Sequence, residues 1–189
     1  MKKIKISFNS PVILTFALAC FVVLILNFLT NGRSNEILFM EYHSSLKSPL
    51  TYVRFFTHVL GHSGWEHFIG NMAYILLLGP ILEEKYGSKK ILYVIVVTAF
   101  VTGLVHYIFF WNVGLCGASG VVFAFILLTS FTSFKNGEIP ITFILVAIIF
   151  IGQQVYEGIF IQDNVSNLSH IVGGIIGSAI GYISNKQIE

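Results

Sequence analysis

The 189-residue chain is 55% hydrophobic and only 11% charged, with a formal net charge of +2 and a mean hydropathy of +0.81. Soluble domains carry about 25% charged residues, so the composition excludes an ordinary water-soluble domain and points to a bilayer as solvent. The two cysteines, Cys20 and Cys116, lie in or beside apolar runs, which argues against a disulfide framework and for small apolar fillers.

Apolar segments fall at 11–31, 67–83, 91–111, 118–134, 140–159 and 168–185, and a membrane span needs about 20 residues. The first follows Lys2, Lys3 and Lys5, and Ala17-Leu18-Ala19-Cys20 is similar to a processing site. Its apolar run nevertheless continues to Leu29, beyond the core of a signal peptide of about 7–15 residues. It is read as the first membrane helix. The connector 32–66 is long and aromatic, with Phe39, Tyr42, Tyr52, Phe55, Phe56 and Trp65. These residues predict a folded external loop lying partly in the interface. The remainder reads as a single domain over 1–189 without repeats or low-complexity tracts.

Segment two opens with His67 and Asn71, four residues apart and hence on one helix face. Two neutral donors aimed at one point suit an oxyanion hole. The same pair could instead cap the helix and bond the external loop. His58, His62 and His67 raise the question of a metal, but Gly61, Ser63 and Gly64 interrupt any helix through them and no H-E-x-x-H pattern is present. No metal is expected. His58 and His62 are read as residues that structure the loop, His43 as solvent-exposed, and His106 in segment three as bonded within the bundle.

Segment four starts at Gly117-Ala118-Ser119-Gly120, a serine between glycines at a helix mouth. From Ser119 to Phe134 it offers 16 residues, about 24 Å of helix against a hydrocarbon core of about 30 Å. With Lys135 anchoring the inner end, Ser119 must lie below the outer surface. The stretch from Asn112 to Gly117 must then descend as irregular backbone, which is tolerated only against protein or a hydrated cavity. Segment six carries His170 with Gly173, Gly174, Gly177 and Gly181 on one face. Gly173, Gly177 and Gly181 recur every fourth residue, so a neighbouring helix can pack at backbone distance. If that neighbour is segment four, Ser119 and His170 come within hydrogen-bond reach, as a nucleophile and its general base require. Asp163 and Glu157 sit in the last external connector, and a dyad is the simpler arrangement.

With the N-terminus inside, six spans place Lys2, Lys3, Lys5, Lys85, Lys89, Lys90, Lys135 and Lys186 on the cytoplasmic side and Arg33, Lys47 and Arg54 outside. That is eight against three, so both termini are expected inside. Neither internal repeats nor paired charges across the bundle suggest a transporter.

These residues resemble the rhomboid family of intramembrane serine proteases over about 50–182. Arg54-Phe55-Phe56-Thr57-His58 is similar to its first-loop motif, and His67-Phe68-Ile69-Gly70-Asn71 matches its H-x-x-x-N. Glu83-Glu84-Lys85-Tyr86-Gly87 looks like its E-x-x-x-G stretch, and Gly117-Ala118-Ser119-Gly120 matches its G-x-S-G. His170 with Gly173 and Gly177 matches its sixth-helix histidine and glycine face. The resemblance implies an all-α, six-helix membrane bundle with Ser119 as nucleophile and His170 as base. His67, Asn71 and the Ser119 backbone amide would hold the oxyanion, with Gly117, Gly120, Gly173 and Gly177 supporting the site by close packing. Substrates would be single-pass transmembrane proteins, cut without cofactor or nucleic-acid partner. Either segment five would move as a lateral gate or the loop 152–167 would lift as a cap. A bacterial cytoplasmic membrane, with the site opening externally, is the expected location. Val53 stands where the family often has tryptophan, Phe123 where it often has tyrosine, and Ser169 replaces a usual alanine. None of these removes a catalytic group.

Overall fold

The computed structural model describes residues 7–133, 138–160 and 164–186, with the side chains of Ser133, 157–159, 164–166 and Lys186 excepted. Lys2, Lys3, Lys5, Phe134, Lys135 and Asp163 lie outside the described residues, as do the Glu157 and Lys186 side chains. Among the described residues there are seven α-helices: α1 (Pro11–Leu29), α2 (Pro49–Thr57), α3 (Trp65–Tyr86), α4 (Ser88–Phe109), α5 (Ser119–Ser130), α6 (Ile141–Phe160) and α7 (Asn164–Lys186). A helix lies in each of the six apolar segments, and α2 is the addition, built inside the long first connector. Of the described helices, α1 and α4 are long and apolar enough to cross a membrane, while α5 and Ile141–Tyr156 of α6 are apolar but shorter.

Apolar composition without a polar stripe explains why α5 is central, since a helix hydrophobic all round must be buried. Val121, Val122, Ala124, Phe125, Leu127 and Leu128 are all buried, and α3, α4, α6 and α7 pack around them. The helix is shorter than expected for segment four. It ends at Ser130 and tightens into a 3-10 turn over Phe131–Ser133, where the Asn185 amide donates to the Phe131 carbonyl at 2.6 Å. That side-chain bond from α7 satisfies a carbonyl the ending helix leaves open.

The α5–α7 seam is set by glycine. A Cβ on Gly173 would overlap the Gly120 carbonyl, and one on Gly177 would overlap the Ala124 carbonyl. The two backbones therefore approach as closely as the small-residue stripe allows. At the other end of the bundle, the buried Glu83 carboxylate accepts the Val12 and Ile13 amides at 3.1 and 3.0 Å. It also accepts the Ser88 hydroxyl at 2.7 Å, so one anion satisfies the open N-terminus of α1 and joins it to the α3–α4 turn.

The outward faces stay apolar: Leu18 and Leu29 on α1, Leu92 and Val96 on α4, and Leu145 and Ile148 on α6 are exposed. Exposed apolar surface on this scale marks contact with a bilayer or with other proteins.

Residues 32–66 form a folded connector. A π-helical turn (Asn35–Phe39), α2 and a 3-10 turn (His58–Leu60) follow one another. Arg54, 3% exposed, ties them together: it donates to the Tyr42 hydroxyl at 2.9 Å and Ser44 Oγ at 2.8 Å, and lies 4.2 Å over the Tyr42 ring. Phe55 of α2 meets Phe100 and Tyr107 of α4 edge-on, at 6.2 and 5.5 Å between centroids. Two histidines differ from expectation. His43 is half-buried and not fully exposed: it stacks on Trp111 at 4.1 Å and on Tyr107 at 4.5 Å, and its Nδ1 pairs with the Tyr107 carbonyl. Nor does His106 bond within the bundle; among the described residues neither ring nitrogen has a partner, and Phe110, one turn on, stacks against it at 5.4 Å.

Candidate active site

The irregular stretch before α5 is held on both sides by the first connector. Glu41 and Leu115 exchange two backbone hydrogen bonds of 2.8 Å, and the Gly117 amide donates to the His58 carbonyl at 3.0 Å. Backbone groups that a helix would satisfy internally are thus paired before the chain enters the bundle. Gly117 has φ +129°, a conformation that side-chain-bearing residues rarely adopt. It turns the chain so that Ala118 caps α5 and Ser119 becomes the first helical residue.

His67 and Asn71 face this turn from α3. The position a Gly117 Cβ would take lies 2.5 Å from His67 Nε2 and 3.7 Å from Asn71 Nδ2, so both side chains use the space the glycine leaves. His67 Nδ1 pairs with Ser63 Oγ at 3.2 Å, which orients the ring. Asn71 is 6% exposed, and its Nδ2 has no hydrogen-bond partner among the described residues. A buried amide donor left open costs free energy. His58 pairs with the Arg54 carbonyl and with Thr102 Oγ1, and His62 with the Leu60 carbonyl. Burial holds both imidazoles at about 4, so both are neutral at physiological pH.

His170 reaches the same region from α7. Gly120, next to Ser119, faces Ser169, with the Ser169 carbonyl 3.6 Å from a Gly120 Cβ position. The Phe123 ring lies flat on the imidazole, 4.3 Å between centroids and 2° from parallel. His170 Nδ1 pairs with Gln154 Oε1 of α6 at 2.5 Å. Sequence reasoning missed Gln154, although the pair Gln153-Gln154 is a polar break in an otherwise apolar segment. Among the described residues the Ser119 hydroxyl makes no hydrogen bond, and no three His, Cys, Asp or Glu side chains converge as metal ligands would.

The family model of the rhomboid domain matches residues 49–187. The chain belongs to the rhomboid family. It is 25% identical over 177 residues to rhomboid protease GlpG of Haemophilus influenzae, spanning 92% of this chain and 91% of that protein. It is 32% identical over 158 residues to rhomboid-related protein 2 of Mus musculus, spanning 72% of this chain and 52% of that protein. The mouse protein is thus about twice the length of the matched part. Membership makes the chain an integral membrane protein, consistent with the apolar outward faces of α1, α4 and α6.

The carboxyl of Glu41 also belongs to the scaffold of this rhomboid site. Glu41 is fully buried beside the Leu115 bridge, and burial pushes its carboxyl up to about 8, against the pull of Arg54 and the Tyr42 amide. An acid whose folded value is raised stabilises the fold fully at low pH and less as pH rises toward that value, because the unfolded chain releases the proton first. Because the buried His58 and His62 make stability rise with pH up to their ordinary value of 6.5, thermal unfolding in detergent should show Tm falling above that, between about pH 7 and pH 9. Glu41→Gln should flatten that dependence, and an equally steep fall in the variant would remove Glu41 as its source.

Proposed function

We propose that this rhomboid is an intramembrane serine endopeptidase, with Ser119 as nucleophile and His170 as general base. The observation that supports this most is the convergence at one turn: Ser119 at the mouth of α5, His67 and Asn71 facing Gly117, and the Phe123-stacked His170 alongside. Relatives named as proteases support the same reading. Ser119 Oγ would attack the scissile carbonyl as its proton passes to His170. The developing oxyanion would receive hydrogen bonds from Asn71 Nδ2, the Ser119 backbone N–H and His67 Nε2, the last protonated when Ser63 donates to Nδ1. His170 would then return the proton to the leaving amine, and water would hydrolyse the acyl-enzyme by the same route. The serine–histidine hydrogen bond is commonly loose before substrate arrives and tightens in the complex.

Six crossings with both termini inside remain the topology that best accounts for the lysine distribution, with the site opening externally in a bacterial cytoplasmic membrane. Single-pass transmembrane proteins would enter from the bilayer and be cut near the outer end of their helix.

The reading is tested by treating the detergent-solubilised protein with a fluorophosphonate and mapping the adduct by mass spectrometry. An adduct on Ser119 that requires His170 is expected. A folded protein that takes no adduct there would be a client-binding rhomboid and not a protease. Asn71→Ala, which removes one oxyanion donor of several, should slow cleavage on the order of 10–1,000-fold, measured as initial rate on a membrane-embedded substrate. A change below about twofold would assign Asn71 to helix capping.

A further inference from the structure

Gln154 sits 4% exposed on the inner face of α6, in a helix whose other described side chains are mostly apolar. A buried amide is tolerated where its polar atoms are paired, and here the partner is the imidazole: Oε1 on His170 Nδ1 at 2.5 Å. The carbonyl oxygen of an amide only accepts, so Nδ1 carries the proton and Nε2 is left with its lone pair. Two restraints then act on one ring. The Phe123 stack, 2° from parallel, sets the ring plane; the Gln154 bond sets rotation within that plane and the tautomer.

We propose that Gln154 is the positioning residue of His170, completing a Ser119–His170–Gln154 relay with a neutral amide in the orienting place. This rests on Ser119 and His170 being nucleophile and base. In the first step the Ser119 Oγ–C bond forms as the hydroxyl proton moves to His170 Nε2. Nδ1–H stays on the ring, and its bond to Gln154 Oε1 strengthens as the ring becomes cationic. When the C–N bond breaks, the Nε2 proton leaves with the amine; water, the only co-reactant, repeats the sequence. A neutral acceptor orients the base without a second ionised group at membrane depth, where an unpaired charge is costly.

The elements packed on α7 are α4, α5, α6 and the 3-10 turn Phe131–Ser133, which carries no titratable group. Their titratable or charged residues are Lys89, Lys90, Tyr93, His106 and Tyr107 on α4, none on α5, and Tyr156 and Glu157 on α6. His106 lies at the His170 end, one turn beyond Thr102, which packs on Gly120. None of these changes between variants at position 154, so a displaced pH profile reports on that position.

The test uses the full chain in detergent and the second-order rate of fluorophosphonate labelling from pH 5 to pH 9, with Tm measured alongside. Gln154→Leu should slow labelling about 10–100-fold. Gln154→Glu keeps an acceptor and adds a negative charge, so labelling should recover at high pH with the acid limb moved up by about 1 unit or more. A leucine variant that labels at the wild-type rate, or a glutamate variant whose acid limb stays in place, would overturn the proposal. Should the leucine variant fail to fold, the glutamate variant decides alone. Imidazole nitrogen NMR separates the two layers of the argument, with the His170 signal assigned by its loss in His170→Ala. An Nδ1-protonated His170 that loses this form in Gln154→Leu upholds the positioning contact, even in a protein that never labels and so is no protease. An unchanged tautomer overturns it.

Discussion

Ser119→Ala is expected to reduce cleavage of a membrane-embedded substrate to background while leaving Tm within about 2 °C of wild type. The stability half follows from the structure. Ala118, not Ser119, caps α5, and the Ser119 hydroxyl makes no hydrogen bond among the described residues, so its removal leaves no orphaned partner. The activity half follows from covalent catalysis. In the proposed mechanism no acyl-enzyme forms without the oxygen, and what remains is the polarising effect of the proposed oxyanion donors, a small remnant of the total. His170→Ala should fall nearly as far, because the proposed nucleophile and base would act as one unit, whose losses are not additive. Initial rates and thermal unfolding on the same preparations check both halves. Retained cleavage in Ser119→Ala would place the nucleophile elsewhere; a large drop in Tm would make the serine a structural residue.

Gly173→Ala should destabilise the fold by about 1–3 kcal/mol, and Gly173→Val by more, with activity lost in step. The first added carbon meets the Gly120 carbonyl itself, and a backbone cannot rotate out of the way as a side chain can. Helices α5 and α7 must therefore separate, which also moves His170 away from Ser119. Gly174→Ala is the control: its Cβ would meet Leu127 at 3.7 Å, an ordinary contact. Thermal unfolding of the two alanine variants should differ by about 2–10 °C. Equal stability would mean that the glycine stripe serves something other than this seam.

Hydropathy and glycine spacing made much of this legible. The apolar segments lie on helices, the G-x-S-G stretch ends irregular backbone at a helix mouth, and Gly173 and Gly177 of the glycine repeat face a neighbouring backbone, while Gly181 faces the Phe131 side chain. The E-x-x-x-G stretch could be matched as a motif, but its work could not be read from it. Glu83 reaches the first turn of α1, some 70 residues away in sequence. The interior of the first connector was equally opaque. Aromatic residues pointed to an interface, whereas His43 is half-buried and stacks on Tyr107 and Trp111. His106 shows the converse: a polar residue invites a hydrogen-bonding reading, and ring stacking holds it instead.

The sequence by itself determined what depends on order and spacing along one chain: a helical membrane fold, the face shared by His170 and its glycines, the face shared by His67 and Asn71, and the motifs that mark the rhomboid family. Those are properties of helical periodicity and composition, and they need no partner. Only the tertiary structure decided which faces meet. It packed α7 on α5 where Gly120 and Gly173 let their backbones approach, and turned His67 and Asn71 toward Gly117. It also brought Gln154 of α6 onto His170 Nδ1. The physical reason is that a side chain's partner is chosen by packing across the bundle, and nothing in a local pattern encodes the helix on the other side.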